Sequence, residues 1–339
     1  MIMKMKAQVI HEFGPPNVFE TSDIPKPKPE DIPANHVLIR VAATSVNPVD
    51  SKIRSGMVPG IAPALPAILH GDVAGVVEAV GEGVTKFQPG DQVFGCAGGV
   101  KGLNGALAEY MVADADLLAL KPQSISMTQA AALPLVGITS YEAFIDRAQI
   151  RSGQRVLIHA ATGGVGHIAI QLAKAKGAKV FATASNPQKL AIAQELGADV
   201  AINYRETTVS EYVDQYTNGQ GFDVVFDTVG GHNLDKSFEA AALNGTVVSI
   251  STRSTHDLSL LHSKGLTLHV VFMLIPLLHN IHRAKYGEIL SKLAQLVDQG
   301  KIRPLIDPQS FTFSEVAQAH QHLESGQAIG KIVLTQETF

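Results

Sequence analysis

The sequence predicts an α/β protein in which a β-rich segment precedes a doubly wound parallel sheet. Short β-branched runs separated by glycine- and proline-rich turns fill the chain from residue 6 to about residue 127. Around Thr128 the pattern changes to alanine-rich helical spacing. After Ser152, strand-like and helix-like segments alternate at the lengths typical of βαβ units. The second half is therefore expected to form a parallel sheet flanked by helices.

Length and composition limit the class of protein. A chain of 339 residues exceeds what one hydrophobic core usually holds, which favours two domains. With 45% hydrophobic residues, 17% charged residues and a net charge of −4, it has the composition of a globular protein, without the basic excess typical of nucleic-acid binding. The apolar run 270–278 is interrupted by Pro276 and is shorter than the roughly 20 residues that cross a bilayer, so no membrane span is expected. The first residues lack the features of a secretory signal, which predicts a cytoplasmic protein.

Strand signals on both sides of the alternating region indicate how the domains are divided. They lie at 37–41, 73–80, 91–94, 301–306 and 331–335. The stretch 25–33 carries four prolines and predicts an extended surface connection rather than a helix. We expect residues 1–127, rejoined by 300–339, to form one domain and residues 128–299 to form the other.

The alternating region supplies the strands of the parallel sheet. They are predicted at 155–159, 178–184, 200–202, 223–226 and 246–250, with a sixth at 266–272. The first helix ends at Gly177, a residue that tolerates left-handed geometry. The next helix begins at Pro187, behind Ser185 and Asn186, either of which can cap it, and ends at Gly197. Short apolar strands that alternate with helices in this way are typical of a Rossmann-type sheet.

A glycine-rich turn follows the first strand of this sheet. Residues 160–166 read AATGGVG and lead into an amphipathic helix. Glycines let the backbone approach a pyrophosphate, whose charge is stabilised by free N–H groups at the helix N-terminus. The turn therefore predicts a dinucleotide site at Gly163, Gly164, Val165 and Gly166. An ordinary tight turn is the alternative, but the flanking strand and helix favour the dinucleotide.

The residues after the second strand indicate which dinucleotide binds. NAD-selective proteins carry a carboxylate about 20 residues beyond the glycine-rich turn. Here that region holds Ser185 and Asn186, with Lys189 one helical turn beyond. A hydroxyl, an amide and a cation can bind a 2′-phosphate, which a carboxylate would repel, so NADPH is the predicted cofactor. In the alternative, Ser185 and Asn186 only cap the next helix and Lys189 is solvated.

Several segments resemble the medium-chain dehydrogenase/reductase superfamily, and within it the quinone oxidoreductase-like branch that lacks zinc. They read NPVDSKIRSG at 47–56, GDVAGVV at 71–77, GDQVF at 90–94, GALAEY at 105–110 and AALPLVGITSY at 131–141. The resemblance covers nearly the whole chain. It implies a GroES-like β-rich catalytic domain, a Rossmann cofactor domain and an active site in the cleft between them. It also implies a homodimer, which we expect to join through the edge of the Rossmann sheet.

Zinc is not expected. Zinc alcohol dehydrogenases of the same superfamily carry Cys where this sequence has Asn47 and His where it has Gly71, and a short glycine-rich stretch at 96–105 replaces their cysteine-rich lobe. A catalytic zinc ion needs three protein ligands, which these positions do not provide. His279 and His282 are spaced i, i+3 on a predicted helix, but they lack a Cys or carboxylate partner at matching spacing and are expected to lie on a surface or an interface.

The resemblance implies that Asn47 and Lys52 are the catalytic residues. Asn47 is placed on the substrate side, and Lys52 on the nicotinamide ribose, where it supplies a hydrogen-bond donor or a proton. The alternatives are that Asn47 is a turn residue and that Lys52 is solvated. Enone and alkenal reductases resembling this chain carry Lys where related quinone reductases often carry Tyr, which favours reduction of a C=C bond. Asp50 and Asp72 are expected to be structural acceptors of backbone hydrogen bonds.

The resemblance further implies a set of cofactor contacts. They are Lys52, Thr139, Gly164, Val165, Ser185, Lys189, Tyr204, Val229, Ile250 and Lys331, with Lys189 and Tyr204 beside the 2′-phosphate. Tyr204 has packing at a strand end as its alternative.

The predicted reaction is hydride transfer from NADPH to a quinone or an α,β-unsaturated carbonyl, because conjugated acceptors need no Lewis acid. A non-catalytic NADPH-binding protein and a zinc-independent alcohol dehydrogenase are the alternatives. The segment 269–283 is expected either to cap the substrate pocket or to form a dimer interface.

Overall fold

The computed structural model describes residues 3–337, and its secondary structure follows the two predicted patterns. The strands are β1 (Lys4–Ile10), β2 (Phe19–Pro25), β3 (His36–Ser45), β4 (Ala67–Ile68), β5 (Asp72–Val80), β6 (Gln92–Cys96), β7 (Tyr110–Asp114), β8 (Leu118–Leu120), β9 (Arg155–Ile158), β10 (Lys179–Ala184), β11 (Val200–Asn203), β12 (Phe222–Asp227), β13 (Ala241–Ser249), β14 (Thr267–Val270), β15 (Phe311–Thr312) and β16 (Val333–Thr335). The helices are α1 (Pro48–Arg54), α2 (Met127–Ala131), α3 (Pro134–Tyr141), α4 (Gly164–Ala175), α5 (Pro187–Glu195), α6 (Val209–Thr217), α7 (His232–Ala240), α8 (Ser259–Ser263), α9 (Ile275–His279), α10 (Ala284–Asp298) and α11 (Val316–Glu324). Short 3₁₀ turns lie at Pro16–Val18, Pro29–Asp31, Ala115–Leu117 and Phe313–Glu315, and a π-helical segment at Glu142–Arg147.

The chain divides into two units. The second unit consists of Val136–Met273 and Lys301–Arg303, and the first contains the chain up to Leu135, Leu274–Gly300 and the chain from Pro304 onward. Helix α10 lies inside the segment 128–299 that the sequence assigns to the Rossmann domain, yet it belongs to the first unit. The reason is packing: its apolar face must be buried, and it lies against β8 and the turn Ala115–Leu117.

The first unit is built mostly on antiparallel strands, and only β15 and β16 pair in parallel among its described strands. A seven-stranded sheet has the order β15-β16-β3-β5-β6-β8 with β7 paired to β3, and a smaller sheet has the order β2-β1-β4. Strands β3, β5 and β6 confirm the strands predicted at 37–41, 73–80 and 91–94. Because β3 is flanked by β5 and β16, the end of β3 lies beside the start of both neighbours: Ala43 pairs with Ala74, and Ser45 with Val333. This junction positions the polar residues described below.

Two local predictions outside the parallel sheet were wrong. Residues 301–306 do not form a strand, because Pro304 has no N–H for a ladder, and only an isolated bridge joins Ile306 to Lys331. His279 and His282 do not share a helix: α9 ends at His279, and Asn280 takes the left-handed conformation with φ 53°. The strand predicted at 331–335 is confirmed as β16.

The second unit contains a six-stranded sheet in which every pairing is parallel. Its order is β11-β10-β9-β12-β13-β14, and each strand overlaps one predicted from the sequence. Consecutive strands lead outward from β9 on one side and from β12 on the other, so the strand order reverses between them. In open parallel sheets the ligand crevice lies at such a switch point, at the carboxyl ends of the strands. Within residues 3–337 no helix is both long and apolar enough to span a bilayer.

Candidate active site

The glycine-rich turn connects β9 to α4 and provides a cradle for a phosphate. Gly163 precedes the first helical residue and has no side chain to cap the helix, so the N–H groups of the first turn face outward without a side-chain acceptor. A Cβ on Gly166 would lie 2.2 Å from the carbonyl oxygen of Ala160, so only glycine fits there. Ala160 itself has φ 54°, a left-handed conformation that usually needs glycine. The turn therefore has the uncapped helix terminus and close backbone approach that a pyrophosphate requires.

The residues predicted to bind a 2′-phosphate follow two adjacent strands. Ala184 at the end of β10 pairs with Asn203 at the end of β11, and the N–H of Tyr204 donates to the carbonyl oxygen of Ala184 at 3.2 Å. Ser185 and Tyr204 therefore stand side by side, one residue beyond each strand. Tyr204 is 48% exposed, which argues against the alternative that it only packs at the strand end.

Helix α5 brings the remaining two residues to the same place. Asn186 caps this helix, since its Oδ1 accepts the N–H of Lys189 at 2.9 Å. Asn186 therefore caps the helix with its side-chain oxygen, as the alternative proposed. The side-chain nitrogen takes no part in the cap. Lys189 lies half-buried in the first turn of α5, four residues after Ser185. A hydroxyl, an amide nitrogen and a cation thus follow the end of β10 within five residues.

Two further predicted contacts follow β12 and β13. Val229 is 53% exposed in the loop after β12, and Ile250 follows β13 directly. The loop is held by Asp227, a fully buried residue whose Oδ1 accepts the N–H groups of Val229 at 3.1 Å and Gly230 at 3.0 Å. Ser249 donates to the other carboxylate oxygen of Asp227 at 3.0 Å. The sequence interpretation missed Asp227, although an Asp at a strand end that is separated by two residues from a glycine pair is a signal for such a turn.

These strand ends share one edge because all six strands are parallel. The edge collects Gly163, Gly164, Val165, Gly166, Ser185, Asn186, Lys189, Tyr204, Val229 and Ile250. Thr139 also belongs to the second unit, where it is buried on α3. The second unit thus fits a bound dinucleotide along the crevice predicted for its fold.

In the first unit, Asn47 lies buried between β3 and α1 with 1% of its surface exposed. Its Nδ2 donates to Oδ2 of Asp72 at 2.8 Å, and its backbone N–H donates to Oδ2 of Asp50 at 2.7 Å. Its Oδ1 accepts a hydrogen bond from Nζ of Lys331. Asn47 therefore lies in the turn before α1, as the alternative of a turn residue predicted. Its side chain also belongs to a buried polar network.

Lys331 is the cation of this network, and it is 3% exposed. Besides Oδ1 of Asn47, its ammonium group donates to the carbonyl oxygen of Val46 at 3.0 Å and to Oδ2 of Asp72 at 3.4 Å. The structure joins Lys331 to Asn47 across 284 residues of sequence, because β16 pairs with the end of β3. The resemblance gave Lys331 a cofactor contact, whereas in the first unit its ammonium group faces Asn47 and Asp72.

The carboxylates of the network accept backbone hydrogen bonds, as the sequence interpretation expected. Asp72 accepts from the N–H of Leu135 at 2.8 Å and from Oγ of Ser45 at 2.7 Å, in addition to Asn47 and Lys331. Burial, and to a smaller extent the nearby charge of Asp72, raise the pKa of Asp50 from 3.8 to about 7. The N–H of Asn47 and the charge of Lys331 oppose that rise in the pKa of Asp50.

Lys52 differs from the buried residues of this network. It lies on the exposed face of α1, and its ammonium group makes no hydrogen bond or ion pair with the part of the chain that the structure describes. Gly71 precedes β5, next to Asp72. Across residues 3–337, no group of three or more His, Cys, Asp or Glu side chains is arranged to hold a metal ion.

Two family models match the chain. The model described as "Alcohol dehydrogenase GroES-like domain" matches residues 33–123, and the model described as "Zinc-binding dehydrogenase" matches residues 196–334. Among curated proteins, the chain is 35% identical to the NADPH-dependent alkenal/one oxidoreductase of Arabidopsis thaliana, a chloroplastic protein, over 98% of this chain and 79% of that protein. It is 32% identical to the human quinone oxidoreductase over 97% of each chain.

Solved structures share the whole architecture. An alcohol dehydrogenase superfamily protein from Novosphingobium aromaticivorans superposes with a TM-score of 0.93 at 43% identity, over 98% of this chain and 100% of that one. A mycobacterial protein solved in complex with NADPH superposes with a TM-score of 0.85 at 29% identity, over 98% of this chain and 99% of that one. The relatives thus include proteins named for NADPH dependence and a structure that contains NADPH.

Proposed function

The chain belongs to the medium-chain dehydrogenase/reductase superfamily, in its quinone oxidoreductase-like branch, and on this basis we propose that it is an NADPH-dependent oxidoreductase that reduces quinones or α,β-unsaturated carbonyls. The observation that carries the proposal is the carboxyl edge of the parallel sheet, where the glycine-rich turn and the residues Ser185, Lys189 and Tyr204 follow the ends of adjacent strands. Relatives named for alkenal/one and quinone reduction support the two acceptor classes.

We assign the cofactor as NADPH. Gly163 to Gly166 would hold the pyrophosphate through the N–H groups of α4. Ser185, Lys189 and Tyr204 would hold the 2′-phosphate, and no carboxylate follows β10 to repel it. When bound, NADPH supplies a hydride, and the acceptor needs a proton in addition.

Asn47 and Lys52 are the proposed catalytic side chains. Asn47 can donate to a carbonyl oxygen and stabilise charge that develops on it, and Lys52 offers an exposed ammonium group. We propose that the reaction proceeds without zinc, since Asn47 and Gly71 stand where the zinc-dependent members of the superfamily carry Cys and His. Conjugated acceptors suit such a site because the conjugation already activates the carbon that receives the hydride.

The test is a panel of benzoquinones, naphthoquinones, alkenals and enones, each assayed with NADPH and with NADH, with the zinc content of the purified protein measured in parallel. We expect acceptor-dependent oxidation of NADPH, with a preference over NADH. NADPH binding without turnover of any acceptor would support the non-catalytic alternative, and oxidation of simple alcohols would support the alcohol dehydrogenase alternative. Preference for NADH would contradict the assignment of the 2′-phosphate site, and stoichiometric zinc would contradict the metal-free reaction.

We also propose a cytoplasmic homodimer that joins through β14. This strand is at one edge of the six-stranded sheet. Val270, its last residue, and Phe272, which follows it, have apolar side chains that are 45% and 42% exposed. Light scattering after size-exclusion chromatography should give about twice the 35.9 kDa mass of one chain, and a Val270→Lys variant should give the monomer mass. Cell fractionation tests the location.

A further inference from the structure

We propose that Lys331 and Asp72 are positioning residues that fix the amide of Asn47 for the acceptor's carbonyl oxygen, and that Lys331 is not a cofactor ligand. The inference deepens the proposed function and rests on it, since it assigns how Asn47 is prepared for a quinone or enone acceptor. It is based on a count of donors and acceptors in the buried network.

The hydrogen bonds of Lys331 account for all of its donors. An ammonium group has three N–H bonds and no lone pair. Lys331 uses them on the carbonyl oxygen of Val46, Oδ1 of Asn47 and Oδ2 of Asp72. No donor remains for a phosphate or a ribose hydroxyl, and the side chain is 97% buried, as its 3% exposed fraction shows.

The partners of Asn47 determine which way its amide faces. Lys331 can only donate, and an ionised Asp72 can only accept. The carbonyl oxygen of the amide must therefore face Lys331 and its nitrogen must face Asp72, as observed. If the amide of Asn47 were flipped, its N–H groups would face the ammonium group of Lys331 and its oxygen would face the carboxylate of Asp72. Both contacts would be repulsive, so the two charged groups favour the observed orientation.

The fixed orientation leaves one donor of Asn47 for another molecule. The amide nitrogen has two N–H bonds, and one of them donates to Asp72 at 2.8 Å. Within residues 3–337 the amide nitrogen donates to no second acceptor. A neutral oxygen that gains negative charge during hydride addition is the acceptor such a donor suits best, and a donor held in advance needs no reorganisation.

Asp72 is itself held in place, which makes it a suitable anchor. Its two oxygens accept from Ser45, Asn47, Leu135 and Lys331. Asp72 opens β5, Ser45 ends β3 and Lys331 precedes β16, so three adjacent strands fix the donors and acceptors. Because these strands hold its hydrogen-bond partners in place, the side chain of Asn47 is held in one position.

The test combines kinetics with cofactor binding in two variants and their combination. The variants are Lys331→Met, Asn47→Ala and the double variant. Methionine keeps an unbranched side chain one atom shorter than that of lysine and removes the three donors. Titration calorimetry with NADPH alone gives its Kd, and steady-state assays with the acceptor that the wild-type protein turns over best give kcat and KM. Lys331→Met should lower kcat by about tenfold or more and leave the Kd for NADPH within about twofold of wild type.

The double variant separates positioning from a general structural role. If Lys331 acts through Asn47, adding Lys331→Met to Asn47→Ala should change kcat by less than about twofold. If Lys331→Met lowers kcat as much in the Asn47→Ala background as it does in the wild-type protein, the inference is wrong. A Kd for NADPH that rises tenfold in Lys331→Met, with an unchanged kcat at saturating NADPH, would also overturn it. A kcat unaffected by Lys331→Met would also overturn it.

Lys331→Met leaves Asp72 buried without its cation and can fail to fold. In that case the pair Asp72→Asn and Lys331→Met together removes both charges, and the same kcat and Kd criteria apply. A wild-type protein that reduces no acceptor overturns the proposed function and with it this role, whereas an active wild type with an insensitive Lys331→Met overturns the positioning role alone.

Discussion

The Nε2 atoms of His70 and His320 lie 2.9 Å apart in the interior of the first unit, in a hydrogen bond that spans 250 residues of sequence. One of the two nitrogens must donate and the other accept, so at least the accepting ring must be neutral. Burial lowers the pKa of both imidazoles, which favours the neutral form of the donor ring as well. Oγ1 of Thr44 donates to the carbonyl oxygen of Asp72 at 2.6 Å, which leaves it to accept from Nδ1 of His70. His320 is then the Nε2 donor, and its Nδ1 accepts from Oγ of Ser51 at 3.2 Å.

The histidine pair predicts a loss of stability in mild acid. Burial is the main cause that lowers the pKa of both imidazoles from 6.5. Together with the charge of Arg54 it brings the pKa of His320 to about 3, and His320 and the charge of Lys331 contribute to the lowered pKa of His70. A depressed pKa means that the unfolded chain binds protons that the folded chain does not, so the free energy of unfolding falls as pH drops below about 6.5. Between pH 6.5 and pH 5 His320 should account for roughly 2 kcal/mol, and His70 acts in the same direction.

Urea denaturation at a series of pH values measures this effect. His320→Gln, which keeps an N–H donor for His70, should give a flatter decline between pH 7 and pH 5 than the wild-type protein. The exposed His262 provides the matched control, and His262→Gln should leave the decline unchanged. An identical decline in the wild type and in His320→Gln would contradict the assignment.

For Asp50 we expect the opposite dependence of stability on pH. Its pKa in the folded chain is raised to about 7 from 3.8, so it contributes stability that is fully present below about pH 4 and is lost as pH rises through about 7. Asp50→Asn keeps an oxygen that can accept the N–H of Asn47 but cannot ionise. Relative to wild type, this variant should gain up to about 4 kcal/mol in free energy of unfolding between pH 4 and pH 8. Asp31→Asn, at an exposed position, is the control and should follow the wild-type curve.

The cofactor preference depends on the absence of a carboxylate after β10. Ser185→Asp should place a negative charge beside the 2′-phosphate and raise the Kd for NADPH at least about tenfold, while the Kd for NADH falls or stays constant. Ser185→Ala removes one hydroxyl without adding charge and should raise the Kd for NADPH by less than Ser185→Asp does. Calorimetric titration of each variant with both cofactors compares them. A Ser185→Asp variant that binds NADPH like wild type would place the phosphate elsewhere.

The glycine-rich turn carries strain at Ala160 that glycine should relieve. Because Ala160 has φ 54°, Ala160→Gly should raise the free energy of unfolding by about 1 kcal/mol. Ala169→Gly, within α4, is the matched control and should lower it by at least about 1 kcal/mol. Thermal unfolding of both variants shows whether each substitution raises or lowers the free energy of unfolding. Destabilisation by Ala160→Gly would show that the conformation of Ala160 is not strained.

Gly166 in the same turn predicts a loss of cofactor binding. A Cβ there would lie 2.2 Å from the carbonyl oxygen of Ala160, so Gly166→Ala must shift the turn away from the helix terminus. The Kd for NADPH should rise at least about tenfold, because the N–H groups lose their alignment with the pyrophosphate. Calorimetry measures the Kd, and unchanged binding by a folded Gly166→Ala variant would contradict the proposed pyrophosphate cradle.

The parallel sheet and its cofactor edge could be predicted because their signals are local. An apolar strand, a glycine-rich turn and an amphipathic helix adjoin one another around Gly163, and parallel strands place all their carboxyl ends on one edge. Tyr204, in contrast, was expected beside Lys189 at the 2′-phosphate only because the family resemblance implies it. The strand predicted at 301–306 was wrong. The prediction followed the apolar residues of this segment and gave too little weight to Pro304, which has no N–H to donate to a neighbouring strand.

The sequence by itself determined the family resemblance, the two kinds of sheet and the residue types available for chemistry, because these depend on spacing along the chain. Only the tertiary structure decided what Lys331 and His320 contact. Both lie more than 240 residues from their partners, Lys331 being 284 residues from Asn47 and His320 being 250 from His70. The antiparallel pairing of β16 with β3 brings Lys331 to Asn47, and burial then leaves its ammonium group only acceptors of the same unit.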